Sequence, residues 1–179
     1  MKSSTAAILL IDDSADDRDL LQLAFRAVKV TNPILSVKSG NEAIAYLYGA
    51  GKFANRAEYP YPAFILTDLK MSDGDGFCVL ETLKKNPEWA GIPIVVMSDS
   101  IDLDDVQRAY VLGASSYFVK PSGFDALKQL MQTLHNYWIA CETPAIDAMG
   151  RRLATSSAGK LGERFVNADR RRSTTGIPA

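Results

Sequence analysis

Phe64-Ile-Leu-Thr-Asp-Leu-Lys-Met-Ser-Asp-Gly-Asp-Gly-Phe77 is an apolar run that ends in one carboxylate, Asp68, followed by a loop carrying Gly74 and Gly76. Residues 63–67 are apolar or β-branched without polar alternation, the pattern of a parallel strand covered on both faces. The run therefore predicts a central strand that delivers Asp68 to the carboxyl edge of a sheet, where open α/β sheets place their ligands.

Four more short apolar runs flank it. Residues 6–11 close on Asp12-Asp13, residues 33–37 form a shorter run, residues 92–97 end at Ser98-Asp99, and residues 115–119 end at Lys120-Pro121. Helical patterns alternate with them. Ser14 caps a helix with Asp16, Asp17 and Asp19 in its first turn, where the helix dipole favours anions, and with Leu20, Leu23, Ala24 and Ala27 at helical spacing. Ser39 or Asn41 opens a second helix that Gly49 and Gly51 stop. Phe77, Leu80 and Leu83 mark a third, Val106, Ala109, Tyr110 and Leu112 a fourth, and Phe124, Leu127, Met131, Leu134 and Trp138 a fifth. Residues 51–62 lack periodicity and read as an extended loop. Five strands alternating with five helices predict a doubly wound α/β fold around a five-stranded parallel sheet.

The 179 residues suit one domain with an appendage. The domain is expected over residues 1–142, and a disordered tail over residues 143–179, where Pro, Gly, Ser, Thr and arginines replace the periodic pattern. A net charge of -1 gives no electrostatic case for a nucleic-acid partner. The two cysteines, Cys78 and Cys141, lack metal-ligand spacing and fit a reducing cytoplasm; Cys78 is expected to be a passive buried thiol. No apolar run is long enough to span a membrane.

The strand ends carry the chemistry. In a parallel sheet Asp12, Asp13, Asp68, Ser98 and Lys120 lie on one edge, so five polar groups converge although they are scattered along the chain. Clustered carboxylates repel and either raise a pKa or take up a cation. Oxygen donors favour a hard ion, and Mg²⁺ suits a site with few protein ligands because it keeps several waters and adds phosphate oxygens. Lys120 as a point charge and Ser98 as a donor would complement a phosphoryl group, leaving Asp68 as its acceptor in phosphoryl transfer.

Asp12-Asp13, Asp68, Ser98, Tyr117 and Lys120-Pro121 resemble, in order and on matching strand ends, the signature of the receiver domain of two-component response regulators, over roughly residues 5–140. The resemblance implies the flavodoxin-like strand order 2-1-3-4-5. It implies that Asp68 accepts a phosphoryl group from a histidine kinase or phosphotransfer protein. Asp13, Asp68 and the backbone carbonyl of Lys70 would bind Mg²⁺, with Asp12 helping. Ser98 would be the switch hydroxyl with Tyr117 turning behind it, Lys120 would pair with the phosphoryl group, and the bond to Pro121 would be cis. The long loop before Asp68, with Ala109-Tyr110 and Trp138, is more narrowly similar to stand-alone receivers that partner phytochrome-type kinases.

Three positions depart from the family pattern. Ser72 replaces the usual proline, Lys70 adds a cation near the acceptor, and Asp99 follows Ser98 where a small neutral residue is usual; Lys70 and Asp99 are expected to tune the rate of phosphorylation. Rival chemistries fit less well. An aspartyl phosphatase of the haloacid dehalogenase class needs a second Asp where Lys70 stands, and a calcium loop counted from Asp68 or Asp73 reaches Val79 or Lys84 instead of Glu. The remaining alternative is a receiver-like interaction module that works without phosphorylation. Output is expected through contact with a downstream protein, with the fourth helix, fifth strand and fifth helix as the switching face and homodimerisation there as one form of it. Neither DNA binding nor enzymatic turnover beyond self-phosphorylation and slow self-dephosphorylation is expected.

Overall fold

The computed structural model describes residues 7–89 and 91–141. The expectation of a disordered tail over residues 143–179 lies outside the described residues. The strands are β1 (Ala7–Ile11), β2 (Ile34–Val37), β3 (Pro62–Thr67), β4 (Ile94–Ser98) and β5 (Ser116–Val119); the helices are α1 (Ala15–Ala27), α2 (Gly40–Tyr48), α3 (Gly76–Lys85), α4 (Leu103–Val111) and α5 (Phe124–Ala140). All ladders are parallel and the order is β2-β1-β3-β4-β5, as expected.

Alternation along the strands divides the core into two layers. Ile8 and Leu10 of β1 join Phe64, Leu66, Val95 and Met97 under α1 and α5, whereas Leu9 and Ile11 join Ile65 and Val96 under α2, α3 and α4. Both sides are fully buried along β1, which explains its unbroken apolar sequence. Pro93 ends the ladder's reach toward Ile92, since it has no N–H to donate, and its carbonyl accepts from Ile65 instead.

Helix starts follow local chemistry. Ser14, Ser39, Asp75 and Asp102 cap α1, α2, α3 and α4 through their side chains, so Ser39 rather than Asn41 opens α2. In α3, Phe77, Leu80 and Leu83 face the core, which turns Cys78 to solvent. The expectation of a buried Cys78 is thereby corrected: one helical position beyond an inward residue points about 100° away.

Residues 51–62 are not an unsupported loop. A 3₁₀ turn over Gly51–Ala54 buries Phe53 against Tyr46 and Tyr59, with ring centroids 5.2 and 5.1 Å apart. Arg56 donates to the carbonyls of Tyr46 (2.8 Å), Leu47 (2.6 Å) and Tyr59 (3.2 Å), satisfying the carboxyl end of α2. Aromatic anchors spaced without period escape a reading based on periodicity.

The loop between β3 and α3 is fixed from the side. Gly40 N–H donates to the Gly74 carbonyl at 2.8 Å, and a Cβ at Gly40 would stand 2.4 Å from that oxygen. Gly74 itself has φ +75°, a conformation natural to glycine. The segment that follows Asp68 is thus pinned to the start of α2. Among the described residues no helix is long and apolar enough to cross a membrane.

Candidate functional site

Asp12, Asp68 and Lys120 meet where the sequence places them, at the carboxyl ends of β1, β3 and β5. The Lys120 ammonium donates to Asp12 Oδ2 and Asp68 Oδ2, both at 2.9 Å, and to Asp17 Oδ2 at 2.6 Å. Three charge-assisted bonds from one ammonium use all its donors. Burial alone would lower the Lys120 pKa, but its bonds to Asp17, Asp68 and Asp12 hold it above the ordinary lysine value. It is a cation throughout the physiological range.

From the sequence Asp17 is expected only to serve the helix dipole as a first-turn acid. Its position in the first turn of α1 brings it to the Lys120 ammonium, and the sequence signal for this is its closeness to Asp12-Asp13 at a strand-to-helix junction. Asp12 is buried, and burial raises its pKa against the opposing effect of Lys120. Its Oδ1 accepts from Ser14 N–H at 2.9 Å, and its carbonyl accepts from Arg18 Nη1 at 2.6 Å. The acid is locked in place on both ends.

Asp68 is also nearly buried. Its Oδ1 accepts the Leu69 N–H at 2.6 Å and lies 3.4 Å from the Lys70 N–H, while the Thr67 hydroxyl donates to its carbonyl at 2.8 Å. Gly76 lies beneath it: a Cβ there would come 2.2 Å from the Asp68 carbonyl oxygen. Only glycine lets α3 begin so close to the acidic strand end.

Asp13 is exposed and stands apart from the lysine. Its Oδ2 accepts the Ser72 N–H at 3.0 Å. A proline at position 72 would have no hydrogen to give, so the departure at Ser72 supplies a tie between the loop and Asp13. Ser98 is buried, and its carbonyl accepts the Lys120 N–H at 3.0 Å, which places the two strand ends side by side. Ser98 Oγ lies 3.5 Å from the Ser100 N–H, and the Tyr117 hydroxyl donates to the Ser100 carbonyl at 2.8 Å. Tyr117 is therefore already turned over the loop after β4.

Of the two expected rate-tuning residues, one turns its side chain away and the other borders the site. Lys70 Nζ lies 3.4 Å from Asp105 Oδ2 on α4, and Asp99 is exposed, lining a cavity of about 270 Å³ with Asp17, Lys120, Pro121 and Leu127. The expected cis bond before Pro121 is corrected: among the described residues no peptide bond is cis. Trans is the intrinsically favoured isomer even before proline, and the chain reverses instead at Gly123, whose φ is +104°.

Among the described residues no three His, Cys, Asp or Glu side chains are grouped to cage an ion. The donors nonetheless fit a divalent ion that keeps most of its waters. They are all oxygens, and Asp12, Asp17 and Asp68 share one ammonium, which leaves negative charge uncompensated.

Residues 8–132 match the family model of the response regulator receiver domain. The chain is 32% identical over 136 residues to the response regulator Rcp1 of Synechocystis sp., covering 76% of this chain and 90% of that protein. The structure of the phosphorylated cyanobacterial phytochrome response regulator RcpA superposes with a TM-score of 0.72 at 33% identity, covering 78% of this chain and 99% of the other. The Mn²⁺-bound form of Rcp1 gives 0.71 at 31% identity with the same coverage.

Proposed function

Because the chain belongs to the family of response regulator receiver domains, we propose that it acts as a single-domain response regulator in which Asp68 is the phospho-acceptor. The observation that carries this reading is the Lys120 ammonium, held at 2.9 Å from both Asp68 and Asp12 in a nearly buried site. In the transfer, the P–N bond of a donor phosphohistidine breaks and a P–O bond to an Asp68 oxygen forms; the imidazole leaves with the electron pair and is protonated from solvent. Lys120 offsets charge on the transferring group and trades a carboxylate for a phosphoryl oxygen.

Asp13, Asp68 and the Lys70 carbonyl, with Asp12 behind them, would hold Mg²⁺, which when bound neutralises the incoming phosphate oxygens. The Mn²⁺-bound Rcp1 supports a divalent ion in this role. Ser98 then donates to the phosphoryl group, and Tyr117 follows as its bond to Ser100 is released. Leu103, Val111, Val119 and Tyr137 are exposed on α4, β5 and α5, an apolar surface that suits a downstream protein or a second copy of the chain. Moving such a switch from 1:99 to 99:1 takes about 5.5 kcal/mol, within reach of a few charge-assisted bonds at about 1.5–3 kcal/mol each. A phytochrome-type histidine kinase in the cytoplasm is the donor that the phytochrome-associated relatives favour. Lys70 and Asp99, both beside the acceptor loops, would set the rate of loading.

Acetyl phosphate with Mg²⁺ should retard the parent on Phos-tag gels and leave Asp68→Ala unshifted. An unshifted parent, with acetyl phosphate and with a phosphorylated kinase, would leave the receiver-like module that works without phosphorylation.

A further inference from the structure

Lys70 begins at the acceptor and leaves it. Its N–H lies 3.4 Å from Asp68 Oδ1, yet its ammonium is carried to α4, 3.4 Å from Asp105 Oδ2. Asp105 is not a casual partner. The Ser100 hydroxyl donates to the same Oδ2 at 2.6 Å, and Ser100 is buried, with its N–H directed at Ser98 Oγ and its carbonyl receiving Tyr117. All three polar groups of Ser100 are engaged, so the carboxylate that holds Lys70 is fixed to the two hydroxyls that read the site.

We propose that Asp105 is a positioning residue that holds the Lys70 ammonium away from Asp68 and thereby slows phosphoryl loading, releasing the lysine when a phosphoryl group arrives. The inference rests on Asp68 being the acceptor and assigns the control of that site to a residue on another element. The side chains set the direction of the exchange. Asp105 offers one negative charge and a single contact to an ammonium that is 68% exposed, an arrangement worth little and easily broken. A phosphoryl group on Asp68 offers up to about two negative charges, next to the backbone from which Lys70 springs.

Lys70 then moves to the phosphate, and Asp105 is left to Ser100 at the moment when Ser98 and Tyr117 rearrange. Acidity does not open the latch at physiological pH. The Ser100 hydrogen bond, with help from Lys70 and Arg108, holds the Asp105 carboxyl below the usual carboxylate range. Lys84 ties α4 to α3 separately by donating to the Val111 carbonyl at 2.6 Å, so releasing Lys70 does not detach the helix.

The test is a double-mutant cycle on the full chain, reading the initial rate of phosphoprotein formation from acetyl phosphate with Mg²⁺. Asp105→Asn keeps an oxygen for Ser100 and removes the charge that holds Lys70. The rate should rise about two- to fivefold, the weight of an exposed ion pair, and should become more sensitive to salt. In a Lys70→Gln background the same substitution should leave the rate where Lys70→Gln alone put it. An Asp105→Asn effect that is absent, or equal with and without Lys70, overturns the proposal and reduces Asp105 to a structural acid. A parent that takes no phosphoryl group on Asp68 from acetyl phosphate or a phosphorylated kinase refutes the acceptor reading as well, so the two failures are distinct. Lys70 is exposed, and circular dichroism of each variant checks that the fold is retained.

Discussion

Replacing Lys120 by methionine keeps most of the side chain's length and removes its charge. Asp12 and Asp68, with side chains 3% and 10% exposed, then lose the cation they share, whereas Asp17 at 39% turns to water. Taking one member from a buried ion pair costs about 3–5 kcal/mol because the remaining charge is stranded; the bond to Asp17 adds at most about 1 kcal/mol. We expect Lys120→Met to lose about 3–5 kcal/mol at pH 7, a large part of the roughly 5–15 kcal/mol that holds an ordinary domain together. The loss depends on pH. Burial already raises the Asp12 pKa, and Lys120 is among the groups that oppose this, so without Lys120 it rises further. A carboxyl whose folded pKa is raised gives a contribution fully present below its unfolded value, about 3.9, and lost as pH climbs through the folded value. The deficit of Lys120→Met should therefore narrow on acidification, and Asp12→Asn should recover part of it at pH 7. Urea unfolding followed by fluorescence of the packed Trp89 measures both. A deficit under about 1 kcal/mol at pH 7, or one that does not narrow in acid, would refute the account of the site as stranded charge around one ammonium.

Gly40→Ala places a Cβ 2.4 Å from the Gly74 oxygen, and overpacking of this kind should cost about 1–3 kcal/mol, read as a lower urea midpoint. Arg56→Ala removes three bonds to carbonyls and should destabilise by about 1.5–3 kcal/mol; Arg56→Lys should recover little of this because an ammonium cannot reproduce the fork. Asp99→Ala removes an exposed charge beside the cavity near Lys120 and should speed loading from acetyl phosphate by less than about tenfold; equal rates for variant and parent would remove Asp99 from the rate-setting residues.

Most of the architecture was legible because it is written in period and punctuation. The apolar runs at residues 6–11 and 63–67 have the length and lack of alternation of strands covered on both faces, and the polar residues closing them name the edge on which they meet. Asp17 escaped because an acid in a first helical turn already has a sufficient explanation in the helix dipole. Arg56 and Phe53 escaped because packing by single anchors leaves no repeat. The bond before Pro121 escaped because isomers differ by less energy than a neighbouring contact supplies. Sequence distance alone puts Lys70 near Asp68, but the direction of a long flexible side chain is decided by the nearest fixed anion, and Asp105 lies on a different element, α4.

The bonds from Lys120 span 108 residues to Asp12 and 52 to Asp68. At a ribosomal pace of about 5–20 residues per second, Asp68 waits roughly 3–10 seconds for its counter-charge after it is synthesised. During that interval the acids repel, and the sheet lacks the strand that silences them. A nascent chain interrupted before β5 would carry Asp12, Asp17 and Asp68 without the lysine that joins them, so the cluster closes only once the last strand has been made.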